Sequence, residues 1–217
     1  QRAIAEQRSA QLEKVAMFQQ SMLQGIDIEA MGIGMANGLR EQVAQQAAGD
    51  LPGFELGLAH ASTADVARGL IDRDILANAE RAIERDFARE PALAADLRES
   101  VAKVRLALGL PKDAARIFAQ VADYRSRALG ATAPETLRAR QQQAGALLEA
   151  AEPKDALALV ETALRDAATL PASEPLRLKL RLNQAEAIAA LGDRPRARKL
   201  MEALRGDAIE LRGERDA

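Results

Sequence analysis

The sequence predicts an all-α protein built as an array of helical hairpins, and three observations lead to that class. First, Leu110-Pro111-Lys112-Asp113-Ala114 recurs as Glu152-Pro153-Lys154-Asp155-Ala156, and Gly192-Asp193-Arg194-Pro195-Arg196-Ala197 echoes both. The alanines stand at 114, 156 and 197, giving intervals of 42 and 41 residues, a period that marks helical repeats stacking to bury a shared core. Second, the 48% hydrophobic share rests mainly on alanine and leucine, with aromatics at 2%, one Tyr and no Trp. Alanine is the best helix former, and the β-branched and aromatic residues of sheets are scarce. Third, proline falls where helices would start (Pro134, Pro175) and glycine where they would stop (Gly130, Gly192), the asymmetry expected of helix ends.

Composition narrows the function classes. A chain of 217 residues buries on the order of 70% of its unfolded surface. The 30 Lys and Arg against 32 Asp and Glu leave a net charge of −2, which offers no basic footprint for nucleic acid and no polybasic patch for an anionic membrane. The absence of cysteine excludes disulfides and thiol catalysis without fixing the compartment. No run approaches the roughly 18 consecutive apolar residues of a membrane span, and no signal peptide is visible. The chain opens on Gln1 in mid-pattern and is expected to be a piece of a longer protein.

Taken in order, the first helix is expected over about Arg2 to Leu23, with Leu12, Val15, Phe18 and Met22 on one face. Gly25 ends it, and Asp27 caps a second helix running to about Ala48, with Ile28, Met31, Met35, Leu39 and Val43 inward. Residues 49–61, containing Asp50-Leu51-Pro52-Gly53, read as a loop and a domain boundary. Ser62 with Asp65 three residues on opens a helix that carries Val66, Leu70, Ile71, Ile75, Leu76, Ala79, Ile83 and Phe87 to about Ala88, compatible with a break near Asp72 to Asp74. Three hairpins follow: Ala92–Leu108 with Lys112–Leu129, Pro134–Ala150 with Lys154–Leu170, and Pro175–Leu191 with Arg194 to about Leu204. The organisation is thus a helical pair over 1–48, a loop over 49–61, a helical cap over 62–90, three hairpins over 91–204, and a charged, fraying tail over 205–217.

Within the hairpins, small residues recur in phase: Ala102, Gly109, Ala114 and Val121, then Ala144, Ala151, Ala156 and Ala163, then Ala185, Gly192, Ala197 and Leu204. A larger residue accompanies each set, Phe118, Val160 and Met201. This pattern resembles the tetratricopeptide repeat (TPR), with a period longer than the usual ~34 residues. A narrower resemblance rests on Met17-Phe18-Gln19-Gln20-Ser21-Met22-Leu23, Ile75-Leu76-Ala77-Asn78-Ala79-Glu80-Arg81-Ala82-Ile83-Glu84-Arg85, Ala107-Leu108-Gly109-Leu110, Arg127-Ala128-Leu129-Gly130 and Pro134-Glu135-Thr136-Leu137. Together these look like the C-terminal, extracytoplasmic TPR region of bacterial receptor-type Ser/Thr protein kinases. The resemblance implies a periplasmic sensor domain joined through one transmembrane helix before Gln1 to a cytoplasmic kinase. It places the signalling or dimer helix at Leu12, Val15, Phe18 and Met22. This segment itself carries no Gly-rich loop, HRD or DFG motif. No enzyme activity and no cofactor are expected of it; ATP and Mg would belong to the kinase domain.

The expected partner is a protein or peptide held on the face lined by the first helices of the hairpins, with a homodimer as a second interaction. By register, that face carries Asp96, Glu99 and Lys103, then Arg138, Gln141, Gln142 and Glu149, then Lys179, Asn183 and Glu186. Of these, Lys103, Arg138, Gln141, Gln142, Lys179 and Asn183 are the candidate binding residues, because amides read a peptide backbone and cations read its carboxylates. The same residues read equally well as an ordinary solvated face. His60 is the only histidine, so no zinc site or triad is available to it. Asp72 with Asp74 and Glu80 with Glu84 lie among arginines, where i,i+4 pairing explains them more simply than acid–base chemistry. Gly32, Gly34 and Gly38 lack the strand and the Lys-Ser/Thr of a phosphate loop; Gly34-x-x-x-Gly38 suits a close helix pair instead. Met17, Met22, Met31 and Met35 fill a core or form an adaptable apolar surface. The alternative overall reading is a freestanding soluble adaptor or chaperone that binds peptide tails.

Overall fold

The computed structural model describes residues 27–171 and 174–215, with no strand among them. The chain divides into two units, one ending at Arg85 and the other beginning at Asp86. The expected helix from Arg2 to Leu23, with Leu12, Val15, Phe18 and Met22, lies outside the described residues.

In the first unit, α1 (Ile28–Gln46) begins at Asp27, whose Oδ1 accepts the Ala30 N–H at 2.9 Å and so satisfies one free donor of the first turn. Its buried face consists of Gly32 and Ala36 and packs on α3 (Thr63–Leu70). A β-carbon at Gly32 would stand 2.7 Å from the Thr63 carbonyl carbon and the Ala64 nitrogen, whereas at Gly34 and Gly38 it would meet nothing within 4 Å among the described residues. Among the described residues the close approach therefore uses Gly32 with Ala36, not Gly34 and Gly38. Leu39, expected inward, is 49% exposed.

The stretch read as a loop over 49–61 is largely helical. A 3-10 turn, Ala48–Asp50, leads into α2 (Leu51–Ala59). Pro52 suggests a turn by sequence, yet in the first helical turn its missing N–H has no partner to lose. The Arg40 guanidinium of α1 then grips the Glu55 carboxylate of α2 through Nε and Nη2.

Ser62 Oγ accepts the Asp65 N–H at 3.2 Å and starts α3 as expected. No break follows. A π-helical stretch, Ile71–Leu76, joins α3 to α4 (Ala77–Asp86). Its wider i→i+5 turn changes which side chains point inward. Ile71 and Leu76, five residues apart, are buried, while Ile75, which an α-helix would place one turn above Ile71, is 51% exposed.

The second unit is the array: α5 (Pro91–Ala107), α6 (Pro111–Leu129), α7 (Pro134–Glu149), α8 (Pro153–Asp166), α9 (Pro175–Ala190) and α10 (Arg194–Arg215). Each helix packs on the next, and α7 also packs on α9. Within the hairpins the chain turns through a left-handed residue at one repeated position: Gly109 at φ 73°, Ala151 at φ 59° and Gly192 at φ 96°. The in-phase residues Ala102, Ala114, Val121, Ala144, Ala156, Ala163 and Ala185 are wholly buried, so neighbouring helices meet at their methyl groups. Phe118 and Val160 fill the space between them at 1% and 0% exposure, but Met201 at the same position of the third hairpin is 38% exposed.

The tail expected to fray beyond Leu204 is helical: α10 continues to Arg215. Asp207 explains part of this, since its carboxylate pairs with Arg181 of α9 and holds the extra turns against the array. Among the described residues no helix is long and apolar enough to cross a membrane.

Candidate protein-binding face

The first helices of the three hairpins, α5, α7 and α9, share one face of the array, and two inter-repeat hydrogen bonds fix their register. Gln142 Nε2 donates to Glu99 Oε1 at 3.1 Å, linking α7 to α5. Asn183 Nδ2 donates to the Gln141 carbonyl at 2.9 Å, linking α9 to α7. A β-carbon at Gly145 would stand 3.8 Å from Asn183 Nδ2, an ordinary contact, so this second bond does not depend on glycine there. Gln142 and Asn183 are therefore committed to neighbouring repeats. Asn183, expected to be open to a ligand, is 5% exposed.

Glu99 is also committed. At 9% exposure it accepts the Lys103 ammonium at 2.6 Å and Arg125 Nη1 at 2.7 Å, while Arg125 Nη2 reaches Asp96 at 2.8 Å. Burial raises the Glu99 pKa, but Lys103, Arg125 and the Gln142 amide lower it by more, so the carboxyl stays below its ordinary value. Arg125 behaves in mirror image: burial lowers it, and Asp96 and Glu99 outweigh that and hold it above its ordinary value. The second and third hairpins are braced by a different pair, Arg140 with Asp166 and Arg181 with Asp207. Arg140 and Arg181 are 41 residues apart, as are Asp166 and Asp207, so this ladder was visible as a recurrence that sequence reasoning missed.

What remains available on the face is a smaller set. Arg138 and Lys179 are exposed, Gln141 keeps its side chain half-buried, and Glu149 and Glu186 are exposed. Leu182 is 39% exposed between Lys179 and Glu186, three and four residues away on the same helix side. Sequence register assigned the open position to Asn183; the structure assigns it to Leu182. Two cations, an amide and one apolar contact can hold a carboxylate-bearing peptide with a hydrophobic side chain.

The remaining sequence candidates do not join this face. His60 is exposed at the end of α2, where its N–H donates to the Gly57 carbonyl at 3.2 Å. Asp74 lies 3.8 Å from Arg73 in an exposed pair. Among the described residues no cluster of three or more His, Asp or Glu is placed to hold a metal ion. A cleft of ≈ 370 Å³ lies at the hairpin turns, bounded by Leu110, Pro111, Lys112 and Ala151, and meets the helix face just described at Glu149.

Helical hairpins with buried small residues in phase and a left-handed turn between them define a TPR-like α-solenoid. Two solved structures share that fold. Both show the nearly identical TPR-like repeats of a protein from Podosopora anserina assigned as a kinesin light chain, one of them a variant form. The variant is 18% identical with a TM-score of 0.52, covering 83% of this chain and 94% of its own; the other is 18% identical with a TM-score of 0.51, covering 82% and 94%. No protein-family model and no curated protein matches the sequence.

Proposed function

We propose that this chain is a protein-binding repeat domain whose α5–α7–α9 face holds an acidic, partly apolar peptide. The observation that carries the reading is a division of labour among polar residues. Glu99, Gln142 and Asn183 are spent on register, while Arg138, Lys179, Leu182 and Glu186 stand exposed on the frame they fix. A rigid frame with uncommitted groups lowers the ordering cost of binding, and displaying such a face is the usual task of a helical solenoid. Panning a random dodecapeptide library on the domain tests it. Peptides carrying Asp or Glu near a leucine or phenylalanine should be enriched. Arg138→Glu with Lys179→Glu should weaken them by more than about tenfold, the effect of ~1.4 kcal/mol. No enrichment, or equal binding by the double variant, would overturn the reading.

The finer reading is that this domain senses ligand for a receptor-type Ser/Thr kinase across a bacterial inner membrane. It rests on the sequence resemblance over Met17–Leu23, Ile75–Arg85, Ala107–Leu110, Arg127–Gly130 and Pro134–Leu137. Ligand binding would bias the pairing of two domains and so the helix bearing Leu12, Val15, Phe18 and Met22, which requires that ligand favour one arrangement. Reading the gene upstream of the Gln1 codon tests this. An apolar span of about 20 residues preceded by kinase motifs is expected; a further soluble repeat or a start codon there would replace it with the freestanding adaptor. In the parent protein, Val15→Asp with Phe18→Asp should uncouple kinase output from ligand.

A further inference from the structure

Each internal second helix of the array is covered by the helix that follows it. On α6, Ala115, Phe118, Val121 and Ala122 are at most 5% exposed, and Val121 and Ala122 pack with Ala139 of α7. On α8, Val160 and Ala163 are wholly buried, and Leu164 joins Leu176 and Leu180 of α9. One period later the same positions fall on α10. Residue 157 plus 41 is Arg198, 160 plus 41 is Met201, 163 plus 41 is Leu204, and 164 plus 41 is Arg205. No helix covers this side of α10 among the described residues, and Met201 is 38% exposed where Phe118 and Val160 are buried.

The chemistry of the open side differs from that of the covered ones. Where α6 carries Ala115 and Ala122, and α8 carries Leu157 and Leu164, α10 carries Arg198 and Arg205. Arg194 precedes them on the same side, in the place of Pro111 and Pro153. Arg194, Arg198 and Arg205 are exposed. Ile209, one turn beyond Arg205, is 62% exposed. A further hairpin of the array's own kind would set leucine or alanine against these guanidiniums and bury them without partners, which is strongly unfavourable. A helix bearing carboxylates at those points would neutralise them and still cover Met201.

We propose that the open side of α10 is a docking surface for an acidic amphipathic helix of a partner protein, seated where the first helix of another hairpin would lie. The geometry is that of the α6–α7 and α8–α9 contacts, and the charge selects the occupant. This surface is separate from the α5–α7–α9 face and stands without it.

The test uses two synthetic 16-residue peptides, the length of α9. One has the α9 sequence, whose three cations and Glu186 sum to +2; the other carries Arg177→Glu, Lys179→Glu and Arg181→Glu and sums to −4. Fluorescence anisotropy against the intact domain should show the acidic peptide binding at least about tenfold tighter, with affinity falling as salt rises. Arg198→Glu with Arg205→Glu, both at exposed sites, should lose that binding by a similar factor. Arg138→Glu with Lys179→Glu in the domain should leave it unchanged. Equal affinity for the two peptides, or binding indifferent to Arg198 and Arg205, would overturn the proposal. So would sedimentation with vesicles containing phosphatidylserine in the absence of peptide binding, which would make the helix a membrane-surface element.

Discussion

Ala151 occupies a backbone conformation that its β-carbon disfavours. At φ 59° it stands where Gly109 and Gly192 turn the other two hairpins, and a left-handed L-residue is strained by about 1–2 kcal/mol. Ala151→Gly should therefore stabilise the second unit, by about 1 kcal/mol after the entropy lost by glycine, read as a higher urea midpoint. Gly192→Ala should do the reverse. Glu99 supplies a second prediction. Its folded pKa is lowered, so its contribution is fully present above the unfolded value near 4.5 and is lost as pH falls through the lower folded value. Glu99→Gln should cost about 1–3 kcal/mol at pH 7, and the difference from wild type should shrink as the medium is acidified below about pH 4; a cost that does not depend on pH would contradict this. The turn residue was legible because three copies of it could be aligned. The roles of Gln142 and Asn183 were not, because one residue on a helix is a rotation of about 100°. That step separates a position facing a ligand from one facing the next repeat, and periodicity alone places a face no more finely.

At the scale of the helices, the array boundaries lie within a few residues of those read from proline and glycine, except at the ends of α8 and α10. Both punctuate backbone geometry directly, so their signal survives without tertiary knowledge. The misread elements are those where a local signal was ambiguous. Pro52 and Gly53 disguised α2, and charge density disguised the continuation of α10, which Asp207 and Arg181 hold in place. The π-helical stretch moved Ile75 outward and Leu76 inward, a shift no 3.6-residue template contains. The contact between α1 and α3 gives this scale its sharpest test. Gly32→Ala places a methyl group 2.7 Å from the backbone of Thr63 and Ala64 and should destabilise the first unit by about 2 kcal/mol or more. Gly34→Ala and Gly38→Ala meet nothing within 4 Å among the described residues and should stabilise it by about 0.5–1 kcal/mol each through helix propensity. Hydrogen exchange of the α1 amides separates the two cases, and equal effects at all three glycines would refute the packing described.

For the whole molecule, burial across the array is unequal and follows from its one-dimensional construction. Phe118 is covered by its own and the following hairpin, whereas Met201 has no following hairpin among the described residues. Phe118→Ala should cost about 3–5 kcal/mol, Met201→Ala less than about 1.5 kcal/mol, each measured by denaturant unfolding. Function makes a complementary demand: residues of the α5–α7–α9 face should change binding while leaving that stability intact. The most direct measurement is an isotope-labelled NMR titration of the domain with a library-selected acidic peptide. Shifts concentrated at Arg138, Gln141, Lys179, Leu182 and Glu186, absent in the Arg138→Glu with Lys179→Glu variant, are the predicted result. Shifts confined to the hairpin turns or to the second helices α6 and α8 would contradict the account.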